Sequence, residues 1–139
     1  DPRYYQHQLD DDYYSLVSVP NNKGHLFLAL ADKGLFFSSD KGYSWTKSNA
    51  IKEAPLIAIG KALPGTDYPA IYILGKRDDD TELWYYMSSD RGKTWIRIND
   101  QNARIGNNPE IMAADKQVPG RVYIGTNGSG VFGGKMPEK

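Results

Sequence analysis

The sequence has no cysteine and only two histidines in 139 residues. Disulfides, thiolate-bound zinc and thiol nucleophiles are thereby excluded together. The histidines, His7 and His25, stand apart, and no Ser/His/Asp set is identifiable. Charge of one sign is not in excess, since 17 Lys and Arg face 17 Asp and Glu. A chain gripping nucleic acid through its phosphates would carry a basic surplus or stripe, so no nucleic-acid partner is expected. No apolar run approaches the roughly 20 residues of a membrane helix, so no membrane partner is expected either. Helical periodicity is missing over any stretch longer than about ten residues. Residue 1 is Asp rather than Met, which suggests a mature product or a piece of a longer protein.

What the chain does have is self-similarity. The string SSDKGYSW at residues 38–45 returns as SSDRGKTW at residues 88–95. A spacing of about 50 residues is that of propeller blades. The likeness extends outward. LFLALADKGLFFSS at residues 26–39 aligns without a gap on VYIGTNGSGVFGGK at residues 122–135. IYILG at residues 71–75 and LWYYMSS at residues 83–89 supply the same two segments with a longer link. Another apolar run and a turn precede each pair, at residues 15–24, 55–65 and 110–120. One unit therefore reads strand, turn, strand, short link, strand, acidic turn and a Trp-led strand. These short runs are rich in Ile, Leu, Val, Tyr and Phe between turn residues.

The expected fold is all-β: about three four-stranded antiparallel blades of a β-propeller, in an incomplete ring. Residues 15–54 form the first unit and residues 55–108 the second. Residues 109–139 hold a partial third unit and a tail. Residues 1–14 are a strand of a neighbouring blade or a segment closing the third. Closed propellers have four to eight blades. Open strand edges and faces favour association. The partners expected are therefore the remaining blades of a parent chain or another copy of this one.

Each residue of the repeated string has a local task. Asp40 and Asp90 accept backbone N–H bonds within their own turn. Gly42 and Gly92 suit a positive φ. Ser38 and Ser88 open the motif, and Ser44 and Thr94 cap remaining groups. Trp45 and Trp95 are expected to wedge between sheets. The competing reading makes Asp40 and Asp90 metal ligands or catalytic carboxylates. A reactive group rarely needs repeating in every unit, so the structural reading is preferred. No metal and no cofactor is expected.

The pattern resembles the Asp-box, or bacterial-neuraminidase repeat. A narrower resemblance rests on GKALPGTDYPAIYILG at residues 60–75, SSDRGKTWIRIND at residues 88–100 and GRVYIGTNGSGVFGG at residues 120–134. In this order they are similar to the C-terminal end of glycoside hydrolase family 74, the xyloglucanases and oligoxyloglucan hydrolases. That resemblance implies two seven-bladed propellers with a glucan cleft between them. It also implies secretion and inverting cleavage of plant cell-wall xyloglucan by two aspartates, in motifs like D-V-G-G and G-D-x-G-G-F. The chain contains neither motif, so no catalytic residue carries over. Ser129 stands where the family usually has Arg, and residues 101–106 replace a His-containing loop.

In Asp-box glycosidases the ligand end lies away from the boxes. That end would gather residues 32–34, 47–54, 76–82, 99–109 and 127–130. The candidate glycan-binding residues are Arg77, Asp78, Asp80, Trp84, Asn102, Arg104 and Asn127. Directional hydrogen bonds beside an aromatic suit a sugar; the plainer reading is a set of solvated loops. Calcium binding by Asp78, Asp79 and Asp80 is disfavoured, because they lack a spaced ligand loop. Two functions remain open: a C-terminal portion of a xyloglucan-active glycosidase, or a non-catalytic module binding a glycan or a protein. A receptor piece of the sortilin type fits the acidic turns but not the strings at residues 60–75 and 120–134.

Overall fold

The computed structural model describes residues 14–98, 109–126 and 130–135. They form eleven strands in three sheets and no helix. Hence no helix among them is long and apolar enough to cross a membrane. The first sheet runs β1 (Tyr14–Ser18), β2 (Leu26–Leu30), β3 (Leu35–Ser38) and β4 (Thr46–Lys47). The second runs β5 (Glu53–Gly60), β6 (Ala70–Lys76), β7 (Trp84–Ser88) and β8 (Ile96–Arg97). The third is described as β9 (Pro109–Ala114), β10 (Arg121–Thr126) and β11 (Gly130–Lys135). All neighbours pair antiparallel and in chain order, as the alternation of short apolar runs and turns requires. This is the expected all-β arrangement of tandem antiparallel blades.

The second sheet is sandwiched, and its side-chain alternation shows it. Ile57, Ile59, Ile71, Ile73, Trp84 and Tyr86 join Phe27, Ala29 and Leu35 of the first sheet in one buried cluster. Leu56, Ala58, Tyr72, Leu74, Tyr85 and Met87 join Met112, Ala114, Val122 and Ile124 of the third in another. Successive strand residues face opposite sides, so adjacent Tyr85 and Tyr86 serve the two seams. Both faces of β6 and β7 are covered, which is why these strands read as almost continuous apolar runs.

The seams also carry backbone bonds. Ala31 and Ala54 exchange N–H···O bonds of 3.1 and 2.8 Å between the first and second sheets. A register shift between Glu53 and Leu56 accommodates Pro55 and frees Ala54 for this exchange. Between the second and third sheets, Lys61 N donates to Asp115 O at 3.3 Å, and Lys116 Nζ donates to Ile59 O. His25 also bridges the first and second units: its Nδ1 lies 2.8 Å from Tyr68 Oη, its ring meets Phe37 edge-on, and the Arg91 guanidinium lies over Tyr68. Burial first, and the Arg91 charge second, lower the His25 pKa. Forty-three positions separate His25 from Tyr68, so this link was hidden in the linear sequence.

Two glycines are fixed by close approach. A Cβ on Gly60 would stand 2.8 Å from Ala114 Cβ, inside the seam. A Cβ on Gly75 would stand 2.6 Å from the Glu53 carbonyl oxygen, across the bulge. Backbone cannot yield as a flexible side chain can. Gly75→Ala is therefore expected to cost about 1–3 kcal/mol in urea unfolding. Gly65→Ala has open space and pays only for its positive φ, about 1 kcal/mol. Equal and negligible losses at both positions would contradict the tight bulge.

Candidate functional site

The repeated acidic turns come first, because their chemistry decides whether they are reactive. Lys41–Gly42 and Arg91–Gly92 all have positive φ, giving each hairpin a left-handed pair at its tip. The glycines adopt this readily; Lys41 and Arg91 are held there at a conformational cost. A matching set of hydrogen bonds holds each pair. In the first turn Ser38 Oγ donates to Asp40 Oδ1 at 2.8 Å and accepts from Gly42 N at 2.8 Å. Ser44 donates twice to Asp40, from N to Oδ1 at 2.9 Å and from Oγ to Oδ2 at 2.5 Å. Ser88, Asp90, Gly92 and Thr94 repeat the pattern at 2.7, 2.8, 2.9 and 2.5 Å.

Both carboxylates are thus occupied by their own turns. Bonds from Ser44 and Ser38 hold Asp40 down at about 2. At Asp90 burial pushes upward, but bonds from Thr94, Ser88 and the Lys93 backbone outweigh it, and the pKa is lowered. A group so stabilised as an anion is a poor proton carrier at neutral pH. Among the described residues no three His, Asp or Glu side chains gather as a metal site.

The two indoles part company. Trp95 is 7% exposed, joins the first seam cluster and donates its Nε1–H to Gly92 O at 3.1 Å. Trp45 is 37% exposed, against the expectation that both would wedge between sheets. The reason is positional. Trp45 occupies the same place in the first sheet, and that face has no described sheet beside it.

The opposite end of the sheets is built by three links. The Val19–His25 turn lies beside the first acidic turn, where Lys41 N donates to Gly24 O at 3.0 Å. The β2–β3 link, the connection into β5 and the β6–β7 link therefore share the far end. Lys52 N donates to Lys76 O at 2.7 Å and ties two of them together. Lys76 and Glu53 form an ion pair of 3.5 Å beside the bulge.

Within the β6–β7 link, Asp80 is an organiser. Its Oδ2 accepts from Arg77 N at 2.8 Å and from the Tyr86 hydroxyl. Asp80 N donates back to Arg77 O at 3.1 Å, closing the turn. Burial works against its charge, but the Arg77 and Tyr86 bonds and the Arg77 and Arg97 guanidiniums leave its pKa lowered. Tyr86 is correspondingly pushed up to about 12, by burial and by its bond to Asp80. The Arg77 guanidinium lies 4.9 Å from the Tyr86 ring centre.

Trp84 is buried in the first seam, with the Arg97 guanidinium 3.3 Å from its ring centre. Asp78 and Asp79 project into solvent. Arg77, Asp78, Asp80 and Trp84 thus sit on one link or at its root. Asn102, Arg104 and Asn127 lie outside the described residues, as do residues 99–108 and 127–129 generally. Glu53, Tyr86 and Arg97 belong to this end and were not singled out from the sequence. Only the strand register, which sets Tyr86 opposite Arg97, could have nominated them.

No family model matches the chain. Individual proteins do. The xyloglucanase Xgh74A of Acetivibrio thermocellus is 42% identical over 128 residues, which is 92% of this chain and 15% of that protein. An oligoxyloglucan-reducing end-specific xyloglucanase of Emericella nidulans is 34% identical over 85% of this chain and 15% of its own length. The crystal structure of a GH74 enzyme from Niastella koreensis superposes with a TM-score of 0.78 at 34% identity, covering 87% of this chain and 18% of that one. The chain thus spans about a sixth of the relatives it matches.

Acid titration tests the turn chemistry. The ordinary carboxylate value of 3.8 applies to the unfolded chain, and the folded Asp40 value is about 2. The stabilisation is then fully present above 3.8 and is lost as pH falls through about 2. Asp40→Asn with Asp90→Asn should unfold at lower urea at neutral pH and show a flatter loss over that acid window. An unchanged acid slope would mean that the turns do not depend on carboxylate charge.

Proposed function

We infer that this chain, which is homologous over nearly its whole length to glycoside hydrolase family 74 xyloglucanases, is a C-terminal propeller portion of a secreted glycosidase acting on xyloglucan or a related β-glucan. In this reading it supplies scaffold and cleft-lining loops, while the catalytic aspartates belong to other parts of the longer protein. The observation that carries the reading is joint: 42% identity to a xyloglucanase and a fold match of 0.78 to a GH74 enzyme run through the same blades.

The acidic turns are Asp-boxes of the bacterial-neuraminidase type, and their work is structural. The units are residues 15–54, 55–108 and 109–139, with residues 1–14 belonging to a neighbouring or closing segment. The remaining blades of the parent are its partners. The glycan would run across the end opposite the boxes, meeting the residue 76–82 loop and the loops that carry Asn102, Arg104 and Asn127. Asp78 offers its carboxylate to sugar hydroxyls. Arg77, Asp80 and Trp84 hold the loop in the shape that presents it.

A second reading is a non-catalytic module that binds a glycan or a protein. Both readings expect D-V-G-G and G-D-x-G-G-F to be absent from these 139 residues, and the xyloglucan assay below with the parent reading frame separates them.

Affinity electrophoresis in xyloglucan gels, with a reducing-sugar assay alongside, tests the proposal. The chain should be retarded by xyloglucan and should release no reducing ends. Asp78→Ala should weaken the retardation several-fold without changing urea stability. Release of sugar by the isolated chain would overturn the scaffold role. Mobility indifferent to xyloglucan would overturn the glycan contact.

A further inference from the structure

The three sheets repeat one register, and one position in it is filled differently. Leu28 pairs with Phe36 in the first sheet, Ile73 with Tyr86 in the second and Ile124 with Phe132 in the third. The strand position thus reads Phe, Tyr, Phe. An aromatic residue serves it in every sheet, and the second sheet alone adds a hydroxyl. The links that lead into these strands differ in the same way. Residues 31–34 join β2 to β3 and residues 127–129 join β10 to β11, whereas residues 77–83 join β6 to β7. The hydroxyl accompanies the long link.

Its placement gives the reason. Tyr86 is fully buried in the seam between the first and second sheets. A phenol buried so deeply needs a hydrogen-bond partner. That partner is Asp80 on the link, whose Oδ2 accepts the Tyr86 O–H. The same oxygen accepts from Arg77 N, and Asp80 N returns a bond to Arg77 O. These bonds close a turn from Arg77 to Asp80, with the exposed Asp78 and Asp79 between them. The Arg77 guanidinium lies over the ring of Tyr86. Both ends of the turn are thus fixed on one side chain. Local bonds close such a turn; the bond to the buried strand sets its direction.

We propose that Tyr86 is a positioning residue, whose hydroxyl holds the Arg77–Asp80 turn against the sheet and so aims Asp78 at the glycan. The ligand rests on the function proposed above, whereas the latch itself rests on register and contacts.

Tyr86→Phe removes the hydroxyl and keeps the ring, as the other two sheets do naturally. Amide exchange at Arg77 and Asp80 should quicken about tenfold or more in this variant, with exchange in β5 and β6 unchanged. Tyr85→Phe removes the adjacent hydroxyl from the other seam and should leave the Arg77 and Asp80 amides as they are. Burial opposes the Asp80 charge, but the bonds from Arg77 N and Tyr86 and the charges of Arg77 and Arg97 keep it ionised. The latch is therefore lost as pH falls through a value below the ordinary 3.8, and Tyr86→Phe should move that loss to higher pH. In xyloglucan gels Tyr86→Phe should weaken retardation several-fold. Combined with Asp78→Ala it should weaken retardation no further than Asp78→Ala alone, because both act through one contact. Should Tyr86→Phe fail to fold, Asp80→Ala removes the latch from the link side and carries the same exchange and gel expectations. Unchanged exchange at Arg77 and Asp80, or additive losses in the double variant, overturns the positioning role. Wild type indifferent to xyloglucan would overturn the glycan reading instead, with the exchange and pH data still deciding the latch.

Discussion

A four-stranded antiparallel sheet with apolar residues on both faces cannot stand in water alone. It must be covered on both sides, and that constraint organises the molecule. In the second sheet it is met in full: Ile71, Ile73 and Tyr86 turn to the first sheet, and Tyr72, Tyr85 and Met87 turn to the third. In each outer sheet one face is met by the described second sheet. Apolar area removed from water stabilises by roughly 25 cal/mol per Å², so each covered face contributes a large term. The acidic turns, the bulge at Glu53 and the close-packed glycines all serve to bring these faces into contact.

The turns show how local chemistry and tertiary contact divide the work. Ser, Asp, Gly and Ser or Thr satisfy one another within eight residues, and they do so in both copies at nearly the same distances. Both occurrences of the sequence form the same turn. The Trp that closes the motif is different, because its burial depends on another sheet. One sequence signature therefore yields one geometry and two environments.

That difference also marks where linear reading stops. Strand order, antiparallel pairing and the positive φ of Gly42 and Gly92 follow from alternation and turn residues, and all were legible. So was the kinship with the xyloglucanases, through the strings around Gly60, Asp90 and Val122. The link between His25 and Tyr68 was not, because no local rule brings together groups so far apart in the chain. Nor was the anchoring of Asp80 by Tyr86, or the cover of Trp84 by Arg97, because both depend on cross-strand register. At the candidate site, Asp78 has the exposure expected of a solvent-facing group, whereas Asp80 and Trp84 are engaged in holding the loop.

The central claim is that seams between sheets, rather than the turns themselves, hold the fold together. Truncating the two matched indoles, Trp45→Ala and Trp95→Ala, tests it most directly by urea unfolding at concentrations where the chain is monomeric. The Ser, Asp, Gly and Ser or Thr bonds of the two turns are equivalent, so the positions differ in the neighbouring sheet and in the single Trp95 Nε1–Gly92 O bond. A seam-dominated fold predicts a loss of about 3–5 kcal/mol at Trp95 and a small fraction of that at Trp45. Equal losses at the two positions would mean that the indole serves its own turn, and the account would fail.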